Sequence, residues 1–157
     1  MDNNKMKTVI TYGTFDLFHV GHVRLLKRLR NLGDRLVVGL STDAFNELKG
    51  KSCVFPYEHR KEILLATQYV DDVFPEENWE QKRHDIMREE ATIFAMGDDW
   101  AGKFDDLENI CQVVYLPRTP DTSTTEIKQV FVKLKEERLH EVRNVSQHLN
   151  RLIEELL

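Results

Sequence analysis

The sequence predicts an α/β protein in which a doubly wound, five-stranded parallel sheet is followed by a C-terminal helical extension. Three observations carry that prediction. Short β-branched runs alternate with amphipathic ones from Thr8 to Leu116, the pattern of strands joined by crossover helices. All seven glycines fall between Gly13 and Gly102 and all four prolines between Pro56 and Pro120, so no breaker interrupts the helical pattern beyond Pro120. Finally, 157 residues with 41% hydrophobic content suit one ordinary core and leave no room for a second large domain.

The expected strands are Thr8–Tyr12, Leu36–Leu40, Asp72–Phe74, Thr92–Met96 and Gln112–Leu116. Between the first two, Val23, Leu26 and Leu29 recur at helical spacing through Leu32 up to Gly33, a candidate C′ glycine. Tyr57–Tyr69 and Trp79–Glu90 read as the next two helices. Such an arrangement is Rossmann-like, and ligands of these folds sit beyond the carboxyl ends of the strands. The pattern sets a boundary near residue 128, dividing the chain into 6–128 and an extension, 129–157. In the extension Val142, Val145, Leu149, Leu152 and Leu156 step by three, four, three and four, a heptad seam open either to a second chain or to packing back on its own domain.

Composition excludes several classes of function. With 22 Lys+Arg against 27 Asp+Glu the net charge is −5, and the extension is neutral, so the excess is confined to the first 128 residues. That balance argues against a broad nucleic-acid or anionic-membrane surface, but not against a small anionic ligand. Cys53 and Cys111 are too few for a disulfide framework or a cysteine zinc site, which makes a reducing cytoplasm the default expectation. MDNNKMK has no apolar core for a signal peptide, and no run approaches the roughly 18 apolar residues that span a bilayer.

The loop after the first strand carries the densest chemistry. In Thr14-Phe15-Asp16-Leu17-Phe18-His19-Val20-Gly21-His22, two imidazoles flank a glycine where a strand runs into a helix. Main-chain N–H groups and the helix dipole favour phosphate at such a terminus, and Gly21 permits close backbone approach. Capping and packing by His19 and His22 is the plain alternative; a metal site lacks a third ligand nearby. Spacing alone leaves these open.

The string GTFDLFHVGH resembles the signature of the HxGH nucleotidyltransferases. Residues 7–128 resemble the glycerol-3-phosphate cytidylyltransferase branch of that family, through YGTFDLFHVGH, YEHRK (Tyr57–Lys61), NWEQK (Asn78–Lys82), MGDDW (Met96–Trp100) and YLPRTP followed by STT. The resemblance implies transfer of CMP from CTP to glycerol 3-phosphate, with release of pyrophosphate and Mg²⁺ arriving on the triphosphate. It implies a homodimer, and a product destined for a glycerol-phosphate surface polymer such as teichoic acid or a capsule. His19, His22, Lys51 and Arg118 would then be catalytic. Thr14, Phe15, Asp16, Gly21, Asp99, Thr119, Ser123, Thr124 and Thr125 would join them around the nucleotide. Lys49, Arg60, Trp79 and Lys82 would bind the acceptor.

Each assignment has a plainer counterpart. Lys49 and Lys51 flank Gly50 as a solvated surface pair would, Arg60 could serve an i, i+4 pairing, and Trp79 could be core. Asp98 and Asp99 could cap a turn. Ser123 and Glu126 have capping-box spacing, which is compatible with a phosphate site at the same helix start. Family members commonly carry a Gly-Ile pair before STT, one residue more than this chain, whose Asp121-Thr122 link is shortened. Asp16 could orient His19, hold a helix terminus or approach Mg²⁺. Two further readings of the whole are a related HxGH enzyme with another phosphate-monoester acceptor or with ATP, and a nucleotide-binding scaffold without turnover.

Overall fold

All five strands form where the β-branched runs lie: β1 (Thr8–Gly13), β2 (Arg35–Ser41), β3 (Asp72–Glu76), β4 (Ile93–Gly97) and β5 (Gln112–Leu116). The structure is a computed structural model and describes residues 6–118, 120 and 123–156. Every pairing is parallel and the strand order is β3-β2-β1-β4-β5. Alternate residues feed two cores. Val9, Leu36, Val38, Leu40, Ile93 and Ala95 lie with Leu26, Leu29 and Leu64 on one face, while Ile10, Val37, Phe74, Phe94 and Met96 lie with Ile86 and Leu107 on the other. Strands covered on both faces need near-continuous hydrophobic runs, as in Val9-Ile10 and Leu36-Val37-Val38.

The winding order reverses at β1: β2 and β3 are added on one side of it, β4 and β5 on the other, with all strands still parallel. The pairing of β1 with β4 covers only Val9↔Ile93 and Ile10↔Phe94, although β1 continues to Gly13 and β4 to Gly97. The two strands therefore part toward their carboxyl ends, opening a crevice at the topological switch point.

Five α-helices complete the chain: α1 (Val20–Arg30), α2 (Asp43–Leu48), α3 (Tyr57–Leu65), α4 (Lys82–Arg88) and α5 (Thr124–Leu156). The six-residue α2, capped by the Thr42 hydroxyl accepting from Phe45 N–H, is too short to show periodicity and was not expected from the pattern. Gly33 is not a left-handed C′ residue. Helix α1 ends on Asn31 at φ −69, and Gly33 is needed because a Cβ there would lie 2.5 Å from the carbonyl oxygen of Lys7.

Helices α3 and α4 are shorter than their patterns. Thr67 ends α3 by donating its hydroxyl to the Leu64 carbonyl at 2.8 Å. At the start of α4, residues 77–81 form a side-chain-stapled turn: Gln81 Oε1 accepts from the N–H groups of Glu77 and Asn78, and Asn78 Oδ1 accepts from Gln81 N–H. At its end Glu90 adopts φ 49, and the N–H groups of Glu90 and Ala91 donate to the carbonyls of Met87 and Ile86, a Schellman closure without glycine.

The chain divides into two compact units between residues 121 and 122. Helix α5 lies wholly in the second and is continuous over 33 residues, about 50 Å at 1.5 Å per residue. It starts at Thr124, ahead of the expected boundary at 128, because the hydroxyl run is its cap. Among the described residues no helix is long and apolar enough to cross a membrane.

Candidate active site

The crevice between β1 and β4 is entered by the loop 14–19, which leads from β1 into α1. Phe15 and Leu17 both take φ 49, a left-handed conformation costly for side chains of this size, so the rest of the structure must hold the loop in place. Phe15 is 6% exposed and packs in the core, its ring 5.3 Å from that of His22. The sequence placed Phe15 at the nucleotide; its side chain lies instead in the core, where it backs the loop.

His19 is the N-cap of α1, and its Nδ1 accepts from Gly21 N–H at 3.0 Å. His22 answers with the reciprocal bond: its Nδ1 accepts from His19 N–H at 3.3 Å. The arrangement is a capping box built from two imidazoles, their rings stacked at 3.9 Å. Capping and chemistry are thus not alternatives here. With Nδ1 an acceptor in both rings, the neutral tautomer carries its proton on Nε2, and each histidine is set as an Nε2–H donor. Burial first, and His19 beside it second, pull the pKa of His22 down from 6.5 to about 4, against a smaller opposing pull from Asp16. At neutral pH His22 is a neutral donor rather than a cation.

Behind this loop lies a buried brace. Arg60 is 1% exposed; its Nε donates to the Phe55 carbonyl, Nη1 to the carbonyls of Thr14 and Ser41, and Nη2 to Asp43 Oδ1 at 2.7 Å. The expectation that Arg60 binds substrate phosphate is corrected: its guanidinium joins the ends of three chain segments, with four of its N–H groups already donating there. Asp16 is corrected likewise. It is 3% exposed, and its two carboxylate oxygens accept from the N–H groups of Val54 and Phe55, so it ties the loop before α3 to the HxGH loop and is not presented to a nucleotide or its metal. Thr14 donates its hydroxyl to Asn46 Oδ1 at 2.8 Å, joining the same brace to α2.

At the ends of β2 and β3 the structure brings together residues far apart in sequence. Lys82 Nζ donates to Glu76 Oε1 at 2.7 Å in a setting where both side chains are nearly inaccessible. Lys49 Nζ donates to Ser41 Oγ at 2.8 Å, Ser41 donates onward to Glu76 Oε2 at 2.5 Å, and Lys49 itself lies 3.7 Å from that oxygen. Trp79, 43% exposed and outside α4, stands 5.5 Å from the Lys49 ammonium and 4.9 Å from that of Lys82, with Trp100 5.5 Å away ring to ring. Cations against aromatic faces in a partly dry pocket suit a compact anion carrying a small polar body. Lys51, by contrast, is exposed beyond Gly50, which turns the chain at φ 69.

Glu76 escaped the sequence reading. Its signal was positional: it is the last residue of β3, at the carboxyl end where such folds place ligands. Asp99 is exposed after β4, with its Oδ1 so close over Gly97 that a Cβ at Gly97 would meet it at 2.5 Å. Arg118 is exposed just beyond β5. Thr119 lies outside the described residues, as do Asp121 and Thr122. In the second unit Ser123 and Glu126 form the expected capping box, with Ser123 N–H donating to Glu126 Oε2 at 2.8 Å and Glu126 N–H to Ser123 Oγ at 3.1 Å; Thr124 and Thr125 open the helix behind it.

A parallel sheet parted at its switch point, with paired histidine donors at the helix terminus, is of the class that takes a phosphate-bearing ligand. Residues 10–130 match the cytidylyltransferase-like family, and the chain belongs to it. It is 60% identical over 129 residues to the glycerol-3-phosphate cytidylyltransferase of Bacillus subtilis (strain 168), covering 82% of this chain and 100% of that one. It is 52% identical over 124 residues to the enzyme of the same name from Staphylococcus aureus (strain NCTC 8325 / PS 47), covering 79% and 94%. Among solved structures, the lipopolysaccharide core biosynthesis protein of Thermoplasma volcanium GSS1 shares the fold, with a TM-score of 0.62 at 23% identity over 73% of this chain and 98% of that one.

Proposed function

We propose that this protein transfers CMP from CTP to glycerol 3-phosphate, giving CDP-glycerol and pyrophosphate for a glycerol-phosphate surface polymer such as teichoic acid or a capsule. The reading is carried by one conjunction: two imidazoles set as Nε2–H donors at the start of α1, and separately two lysines gathered beside Trp79. A phosphate oxygen of the acceptor attacks the α-phosphorus; the new P–O bond forms as the bond to the β-phosphate bridging oxygen breaks, and the electron pair leaves with pyrophosphate. A phosphate monoester has its second pKa near about 6, so the nucleophile is already anionic and no general base is needed.

What the chain supplies is position and charge stabilisation. His19 and His22 donate to phosphate oxygens, Lys51 and Arg118 bring exposed cations to the triphosphate, and Lys49 and Lys82 hold the acceptor phosphate. Asp99 serves the nucleoside side, and the start of α5, with Ser123, Thr124 and Thr125, carries hydroxyls of the kind that phosphates take. Mg²⁺ would arrive with CTP and would offset charge on its phosphates; among the described residues no group of three or more His, Cys, Asp or Glu is placed to hold it. The enzyme works in the cytoplasm, where CTP is made. Pyrophosphate release measured across nucleoside triphosphates and phosphate acceptors tests the reading. CTP with glycerol 3-phosphate is expected to be the productive pair; silence with that pair, or turnover with ATP alone, overturns it.

The protein further acts as a homodimer, with α5 contributing a seam. Val142, Val145, Leu149 and Leu152 are 59%, 69%, 56% and 42% exposed on that helix, and their 3-4-3 spacing is the one that a second helix interlocks with. The family match ends at residue 130, so the seam lies beyond it. A chain ending at Lys128 is expected to sediment with weaker self-association than the full chain. An unchanged dimer would assign the seam to packing within one chain.

A further inference from the structure

We propose that Glu76 is a positioning residue of the acceptor subsite: its buried carboxylate holds the ammonium groups of Lys49 and Lys82 apart and in place, so that together they receive one phosphate monoester. The inference rests on the acceptor reading given above. Glu76 is 3% exposed; it accepts from Lys82 on Oε1 at 2.7 Å and from Ser41 on Oε2 at 2.5 Å, and the Lys49 ammonium lies 3.7 Å from Oε2. A carboxylate repels a phosphate and does not itself hold one. Its effect is on the cations, which sit at different depths: Lys82 is buried, while Lys49 is part-exposed against the rings of Phe45 and Trp79.

Charge arithmetic explains the pairing. Two ammoniums alone in a poorly solvated pocket repel each other and lose hydration; one carboxylate between them offsets both costs and leaves a net charge of +1. That residue charge, with the exposed edge of Trp79 beside it, favours a compact anion over a neutral polyol. Ser41 makes the arrangement directional, since its hydroxyl accepts from Lys49 and donates to Glu76, fixing the Lys49 head relative to the carboxylate. Lys82 is held from behind as well, over the ring of Tyr12, whose hydroxyl is bonded to Asp85 at 2.9 Å.

The pH behaviour of Lys49 follows. Burial lowers its pKa from the ordinary lysine value; Glu76 opposes that, the nearby ammoniums of Lys51 and Lys82 reinforce it, and the Cys53 thiol opposes it weakly. Removing the Glu76 charge lowers the Lys49 pKa further, so the ammonium is lost at a less alkaline pH.

The test uses the full chain, with wild type measured first on CTP and glycerol 3-phosphate. If wild type releases no pyrophosphate, the acceptor reading falls and takes this inference with it. With wild type active, Glu76→Gln is expected to raise KM for glycerol 3-phosphate by about tenfold or more, the scale of one lost charge-assisted contact, with KM for CTP nearly unchanged. The alkaline limb of kcat/KM for the acceptor should move to lower pH. Glu76→Asp keeps the charge at shorter reach; it should raise the acceptor KM less and leave the alkaline limb where it was, and it stands as the test should Glu76→Gln fail to fold. An unchanged acceptor KM in either variant overturns the proposal. So does an equal loss for CTP and acceptor that Glu76→Asp does not relieve, which would mark a purely structural carboxylate.

Discussion

His19→Asn and His22→Asn are each expected to lower kcat by about 10²–10³-fold, equivalent to about 2.7–4 kcal/mol of transition-state stabilisation, while the protein stays folded. Asparagine places an amide oxygen near the position of Nδ1 and has nothing at the position of Nε2. The variant at 19 therefore keeps the cap on Gly21 N–H, and the one at 22 keeps the acceptor for His19 N–H, but each loses its donor. Alanine at either site removes both functions, so it should abolish turnover and also cost about 1 kcal/mol of stability through the lost cap. Steady-state kinetics beside urea unfolding separates the two effects; an Asn variant with wild-type kcat would remove the histidine from the chemistry.

The neutrality of His22 makes a second readout of the same assignment. Its pKa of about 4 in the fold lies below the 6.5 of an unperturbed imidazole. Between those values the unfolded chain binds a proton that the folded chain refuses, so the stabilising contribution is complete above pH 6.5 and is lost as pH falls toward 4. His22→Asn should flatten that acid loss in a stability profile. An NMR titration of His22 should show a midpoint near 4 in the free protein and a higher one with CTP bound, because an adjacent triphosphate favours imidazolium.

Arg60→Met should destabilise the protein by about 3 kcal/mol or more, since the long apolar stem is retained while buried acceptors lose their donor. The Phe55, Thr14 and Ser41 carbonyls and Asp43 all bond to this one guanidinium. The Asp43 end is about half exposed and contributes least; the carbonyls of Thr14 and Ser41 sit at the ends of β1 and β2, and their loss should loosen the site's own loops. Urea denaturation measures the cost. A raised acceptor KM with unchanged unfolding midpoint would instead restore Arg60 to the phosphate.

Much of this could be seen in the chain alone. Parallel strands buried on both faces need unbroken apolar runs, and such runs locate β1, β2 and β4 within a residue or two. The HxGH loop was legible through its resemblance to a known signature; spacing alone left capping and phosphate binding open, and the structure shows both imidazoles capping α1. Helix limits were less legible. Trp79 falls outside α4 and α3 stops at Leu65 because Gln81, Asn78 and Thr67 divert the backbone with side-chain hydrogen bonds, which periodicity does not register.

The sequence by itself determined the class of fold, the paired histidines and the long terminal helix, since each depends on contacts between near neighbours or on the repeat of apolar residues. Only the tertiary structure decided what the isolated charges do. Arg60 and Asp16 looked like ligands and are braces, while Glu76, silent in the sequence, joins two lysines from different elements. The physical reason is burial: a charge type is written in the chain, but whether it meets water, a ligand or another charge depends on segments brought together across 27 residues or more between Lys49 and Glu76.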